Sequence, residues 1–280
     1  MGRRLAKIVM ALAFLGALSG CIERQFFYPD RTAYTTPAQF GLRSEDIWIP
    51  GPGGSRLHGW WLPAQGPARG TVLHLHGNAA NISSHLPLVA WLPGAGFNLL
   101  TFDYRGFGES SGGEPTLDGV VDDSLAALRW LRQKPGADPQ RMVVLGQSLG
   151  GATALRTMAQ DAAGVKLLIV DCGFSSYRGI ARDAVRGSWL RWVAPAALLA
   201  LPGTAADPVT AARSLKVPLL VMHSSDDAVV PMAHGQAIYA AAPEPKQWLE
   251  VQHTQHVDGL THEAVRQQVI AAMLRALRTD

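Results

Sequence analysis

Short, continuous apolar runs alternate with amphipathic stretches along most of the chain. The runs 71–76 (TVLHLH), 97–102 (FNLLTF), 142–146 (MVVLG), 165–170 (VKLLIV) and 217–222 (VPLLVM) are rich in Val, Leu and Ile. Runs of this length and composition are what strands buried on both faces require. The run 246–251 (KQWLEV) is more polar and predicts a strand at the far edge. Helical spacing predicts helices near 83–92, 118–133, 149–159 and 233–242. A last one, from about 260 to 277, carries a stripe of Val265, Val269, Ile270, Met273, Leu274 and Leu277. Ahead of all these, Ile47-Trp48-Ile49 and Leu57–Leu62 flank the turn Pro50–Gly54, predicting an antiparallel edge hairpin. Strand and helix in alternation predict an α/β fold with a mostly parallel central sheet and helices on both faces. Residues 174–214 are longer than one crossover needs and hold Trp189, Leu190, Trp192, Val193, Leu198, Leu199 and Leu201. They are read as a small cap inserted into a single domain, 44–280.

The first residues follow another pattern. A cationic start (Arg3, Arg4, Lys7) leads into an apolar run from Ile8 to Leu18, too short to span a bilayer, and then into Leu18-Ser19-Gly20-Cys21. This resembles the lipobox of bacterial lipoproteins. The resemblance implies that 1–20 is a signal peptide, that cleavage precedes Cys21, and that Cys21 carries the lipid. Isoleucine at position 22 implies the periplasmic face of the outer membrane in preference to the inner membrane. A plain signal peptide or anchor that happens to contain a cysteine is the alternative. Residues 21–43 are read as a lipid-anchored tether whose Phe26-Phe27-Tyr28 packs onto the body.

Removing that leader changes the charge balance. The 25 basic residues of the full chain fall by three, to equal the 22 acidic ones, so the pI of about 9.0 does not argue for nucleic-acid binding. If Cys21 is lipidated, Cys172 has no cysteine to pair with. No CxxC, HExxH or EF-hand spacing is present, and neither a metal nor another cofactor is expected.

The sharpest chemical signal is Leu145-Gly146-Gln147-Ser148-Leu149-Gly150-Gly151, a G-x-S-x-G turn between a strand and an alanine-rich helix. Side chains at Gly146 and Gly150 would collide across such a turn, which thrusts Ser148 outward. The Leu149 N–H and the helix N-terminus face the same space and favour an oxyanion. The loop after the first long strand, His76-Gly77-Asn78, supplies a second backbone N–H, assigned to Asn78. His76 itself is read as structural, its ring fixing the loop. A hydroxyl nucleophile needs a base and an orienting acid, which follow it in chain order. Asp226 and Asp227 follow the strand 217–222, and His253 and His256 follow the last one.

Together these segments resemble the compact branch of the α/β-hydrolase superfamily described as serine aminopeptidase-like or depalmitoylase-like. The resemblance rests on Phe27-Tyr28-Pro29, the loop His76–Asn81, Asp103-Tyr104-Arg105-Gly106-Phe107-Gly108, the serine turn, Ser225–Pro231 and Gln255–Asp258. It implies an α/β-hydrolase fold. By position before Pro231 it selects Asp227 as the acid, with Asp226 a solvated turn residue. By its place before Asp258 it selects His256 as the base, with Gln255 standing where that family usually has glycine. In the Asp103 loop, Asp103 and Arg105 are expected to cross-link the loop as scaffold, and Tyr104 is a candidate pocket residue. The implied activity is hydrolysis of small acyl esters or thioesters by Ser148, His256 and Asp227, and the expected membrane anchor favours lipidic ones. A peptidase or amidase of the same fold is the alternative, and a non-catalytic envelope-binding lipoprotein a further one.

Overall fold

The computed structural model describes residues 26–186, 201 and 203–278. Its strands are β1 (Tyr28–Pro29), β2 (Glu45–Pro50), β3 (Arg56–Leu62), β4 (Thr71–Leu75), β5 (Ala79–Ala80), β6 (Asn98–Phe102), β7 (Met142–Gln147), β8 (Val165–Asp171), β9 (Leu219–Ser224) and β10 (Lys246–Val251). The helices are α1 (Ile82–Val89), α2 (Gly119–Leu131), α3 (Leu149–Gln160), α4 (Tyr177–Ala184), α5 (Pro208–Ala212), α6 (Met232–Ala241) and α7 (Glu263–Ala276). Eight strands form one sheet in the order β10-β9-β8-β7-β4-β6-β3-β2, and β1 pairs with β5 in a small separate ladder. The run from β10 to β6 is parallel; β3 is antiparallel to β6, and β2 to β3, which makes the expected edge hairpin. The fold is that of an α/β-hydrolase, with helices on both faces of the sheet.

The apolar runs are continuous because each strand feeds two cores. Leu73, Leu75, Val144, Leu168, Val170, Leu219 and Val221 point to one face, where α2, α3 and α6 pack. Their neighbours Val72, Val143, Leu145, Leu167, Ile169, Leu220 and Met222 point to the other, against α1 and α7. Strand side chains alternate with period two, so no position in these strands can be polar without a partner inside the sheet. β9 starts at Leu219, two residues later than expected, because Pro218 has no N–H for the ladder; its carbonyl still accepts from Leu168 N–H.

The segment following Phe26 is more than a tether. Phe27 is buried against Phe107, whereas Tyr28 is 63% exposed. The expectation that all three aromatics pack fails at Tyr28 because the segment is a strand, and alternate side chains leave its opposite faces. Phe26 meets Tyr177 edge-on at the start of α4. In the cap, Trp189, Leu190, Trp192, Val193, Leu198 and Leu199 lie outside the described residues, as does Cys21; Leu201 is buried, and Ala212 joins the main core. No helix among the described residues is long and apolar enough to cross a membrane.

Candidate active site

Parallel strands end together, so the loops after β4, β7, β8, β9 and β10 gather at one edge of the sheet. Ser148 stands between β7 and α3 with φ 53° and ψ −115°, a backbone state that an L-residue adopts only under constraint. The constraint is visible. Ser148 N–H donates to Asp171 O, and a Cβ on Gly150 would lie 1.9 Å from Leu75 O. A Cβ on Gly146 would lie 2.3 Å from Gly150 O, so both glycines are dictated by contact with backbone. Leu149 opens α3, and its N–H is among those that no helical carbonyl can take.

Asp227 and His256 meet across the loops after β9 and β10. His256 Nδ1–H donates to Asp227 Oδ2 at 2.7 Å. The other carboxylate oxygen of Asp227 accepts from Val229 N–H and Val230 N–H at 2.9 and 2.8 Å. Burial alone would raise the Asp227 pKa; the His256 hydrogen bond and the two amides outweigh it and hold the group below the ordinary carboxylate range. With Nδ1–H committed to Asp227, the unprotonated nitrogen of neutral His256 is Nε2. Asp226 is exposed and accepts from its neighbour Ser225, and His253 is exposed in a turn. His223 stiffens the acid loop by donating from Nε2 to Val230 O.

The residues after β8 link the Ser148 elbow to His256. Asp171 O accepts from Ser148 N–H, and Cys172, next in the chain, has its sulfur within 4.8 Å of the ligand atoms of both Asp227 and His256. The ring of His85, on α1, reaches within 3.0 Å of a Cβ placed on Gly77, which in turn would lie 3.7 Å from Ser148 Cβ. Sequence reasoning passed over His85, since chain order discounted every histidine before the acid. Its position in the first turn of the helix after the His76–Asn81 loop was the available signal.

The loop from His76 to Ala80 is held through its carbonyls. Tyr104 Oη–H donates to His76 O at 3.3 Å, His76 Nδ1–H to Gly77 O at 2.7 Å, and His85 Nε2–H to Ala79 O at 2.9 Å. The His76 ring is fully buried against Tyr104 and Phe107, as a structural role requires. Because a trans peptide points C=O and N–H in opposite directions, fixing Gly77 O also fixes the direction of Asn78 N–H. Tyr104 is wholly buried beneath this loop and does not line a pocket. Asp103 and Arg105 tie this loop to its neighbours, and not to each other. Arg105 instead pairs with Asp123 on α2 at 2.7 Å, and Asp103 turns inward to accept from Ile82 N–H at 2.8 Å. Gly108 makes room for it, since a Cβ there would lie 2.1 Å from Asp103 Oδ2.

Among the described residues, Cys172, Asp227 and His256 are the group whose spacing could hold a metal ion. The hydrogen bond at 2.7 Å already occupies His256 Nδ1, and burial pushes the Cys172 thiol far up, away from the thiolate a metal needs. A second Ser–His–Asp chain links Ser175 Oγ, His234 Nδ1 (2.8 Å), His234 Nε2 and Asp183 Oδ2 (3.1 Å). There, however, Ser175 N–H also donates to His234 Nδ1, and no strand-to-helix elbow presents the serine. It fastens the start of the cap to α6.

The chain matches the family described as "Serine aminopeptidase, S33" over residues 66–202. It is 36% identical to the YfhR protein of Salmonella typhi, covering 91% of this chain and 90% of that one. It is 28% identical to the lysophosphatidylserine lipase ABHD12 of Danio rerio over 67% of this chain and 51% of that one. Among solved structures, the esterase Pf2001 of Pyrococcus furiosus superposes with a TM-score of 0.70 at 20% identity, covering 90% of this chain and 97% of that one.

Proposed function

The chain belongs to the α/β-hydrolase family, and from that premise we propose that it hydrolyses acyl esters or thioesters through a Ser148–His256–Asp227 triad and a covalent acyl-enzyme. The observation that carries the reading is the 2.7 Å bond from His256 to Asp227 at the same sheet edge as the strained Ser148 elbow. In this mechanism Ser148 Oγ attacks the acyl carbon and its proton passes to His256 Nε2. The imidazolium so formed is stabilised by Asp227, and it returns the proton to the leaving group. Water repeats the sequence on the acyl-enzyme. Asn78 and Leu149 N–H groups take the oxyanion, each contributing about 3 kcal/mol.

The lipid on Cys21 and location at the periplasmic face of the outer membrane belong to the same proposal, and their support is the leader 1–21. A lipidic acyl ester is favoured by that proximity and by the lipase activity in the name of the ABHD12 relative. The word aminopeptidase in the family description keeps an amide-cleaving reading in view. A fluorophosphonate probe tests the catalytic claim: labelling is expected in the wild type and lost in Ser148→Ala, and equal labelling of both proteins would overturn it. Turnover of p-nitrophenyl acyl esters should exceed that of aminoacyl anilides; the reverse order selects the peptidase.

A further inference from the structure

The N-terminal strand supplies hydrogen bonds that the loop holding Asn78 cannot obtain from its own surroundings. Tyr28 N–H donates to Asn78 O at 3.4 Å, and Asp30 N–H to Ala80 O at 3.1 Å. With the three donors described above, every carbonyl from His76 to Ala80 is taken. Asn81 closes the arrangement. Its Nδ2 donates to Asp30 Oδ1 at 2.9 Å and to Thr32 O at 2.8 Å, while its Oδ1 caps α1 by accepting from Ser83 N–H at 2.9 Å. Asp30 O in turn accepts from Gly108 N–H at 3.0 Å. Within this loop Ala80 has φ 61°, a left-handed state that a non-glycine residue keeps only where its neighbours impose it. β1 is the neighbour that does so, through the register Tyr28↔Ala79 and Pro29↔Ala80.

We infer that the segment Tyr28–Thr32 is a positioning element for catalysis: by pinning the peptides on the C-terminal side of Asn78, it aims the Asn78 N–H at the oxyanion. His76 fixes the peptide before Asn78 and β1 the peptide after it, so both torsions of Asn78 are bracketed. The eight-stranded sheet contains neither β1 nor β5, so the segment bears on the site more directly than on the core. This inference rests on the oxyanion role proposed for Asn78. It also makes the site depend on the stretch of chain that leads from Cys21.

Asn81→Asp tests it in the full-length protein. Aspartate still caps α1 but cannot donate to Thr32 O, and it repels Asp30. The expected result is a fall in kcat of at least about tenfold, with KM within about twofold and a matching fall in the rate of phosphonylation by a fluorophosphonate. Adding Asp30→Asn restores the donor–acceptor pair and should recover part of the loss. Tyr28→Pro provides a second route: it deletes the N–H that reaches Asn78 O together with the side chain, whereas Tyr28→Ala loses the side chain and keeps that N–H, so Tyr28→Ala should hold kcat within about twofold of wild type while Tyr28→Pro lowers it. Wild-type kcat in folded Asn81→Asp and Tyr28→Pro would overturn the inference. So would a loss of turnover that tracks the loss of folded protein measured by circular dichroism. Failure of the hydrolase reading is distinct, since then Ser148→Ala and wild type would label alike whatever the state of β1.

Discussion

Asp227 has its two carboxylate oxygens engaged by three donors, one from His256 and two from its own loop. The loop amides keep the carboxylate ionised and aimed even when the histidine is neutral. Asp227→Asn retains the shape but removes the charge that stabilises an imidazolium, and it can donate to Nδ1 and so favour the wrong tautomer. We expect kcat to fall by roughly 10³–10⁴-fold with little change in KM, measured by steady-state ester hydrolysis. Because Asp227 lies below the ordinary carboxylate range, protonation of this residue should not shape the activity profile near neutral pH.

The ends of four adjacent strands carry a second polar feature. Thr101 on β6 donates to His74 Nδ1 at 3.0 Å, and His74 Nε2–H on β4 donates to Gln147 Oε1 at 3.0 Å. Gln147 on β7 then donates to Asp171 Oδ2 on β8 at 2.9 Å. Gln147 is the variable residue of the serine turn, so this chain ties the elbow to strands on both sides. Burial raises the Asp171 carboxyl from 3.8 to about 6, and its Oδ1 has no hydrogen-bond partner among the described residues. The folded protein therefore holds that proton more tightly than the unfolded chain does. Raising pH from about 4 to about 6 should cost on the order of 2 kcal/mol of stability at this one residue. His74, driven by burial down to about 3, acts with the opposite sign, losing stability as pH falls below 6.5. Urea denaturation of Asp171→Asn at pH 4 to 7 should lack the Asp171 component while keeping that of His74. An unchanged pH profile would remove Asp171 from the account. The elbow itself leaves no room for a methyl group. Gly150→Ala forces Cβ into Leu75 O, and it should lose at least about 3 kcal/mol by denaturant titration together with its fluorophosphonate labelling.

Taken as one body, the chain is an α/β-hydrolase whose N-terminal segment enters at the catalytic edge. Cys21 lies five residues before Phe26, a reach of at most about 18 Å, so a lipid on Cys21 would hold that edge close to a bilayer. Two acyl chains on Cys21 would give stable attachment, and losing them would release the protein. Cys21→Ser is therefore expected to move the protein from the detergent phase to the aqueous phase in a Triton X-114 partition while the isolated protein retains its turnover of soluble esters. Continued partition into detergent would refute the lipid anchor.

Much of this was legible before any coordinates. Continuous apolar runs, a turn signal and period-3.6 patterns predicted the sheet, its edge hairpin and its helices, because burial of an element's faces is written locally. The serine turn was equally legible, since its glycines are dictated by contacts within one strand–helix junction and the strand beside it. What required the tertiary structure was partnership between distant segments. Arg105 faced two carboxylates, and only the packing of α2 against its loop gave it Asp123 in place of Asp103. The tether became a strand only once a complementary loop edge lay beside it. His85 came to the site only through the packing of α1 beside the serine turn. Local pattern reports which surfaces must be covered; which side chains meet depends on distances that arise when separate stretches of chain close on one another.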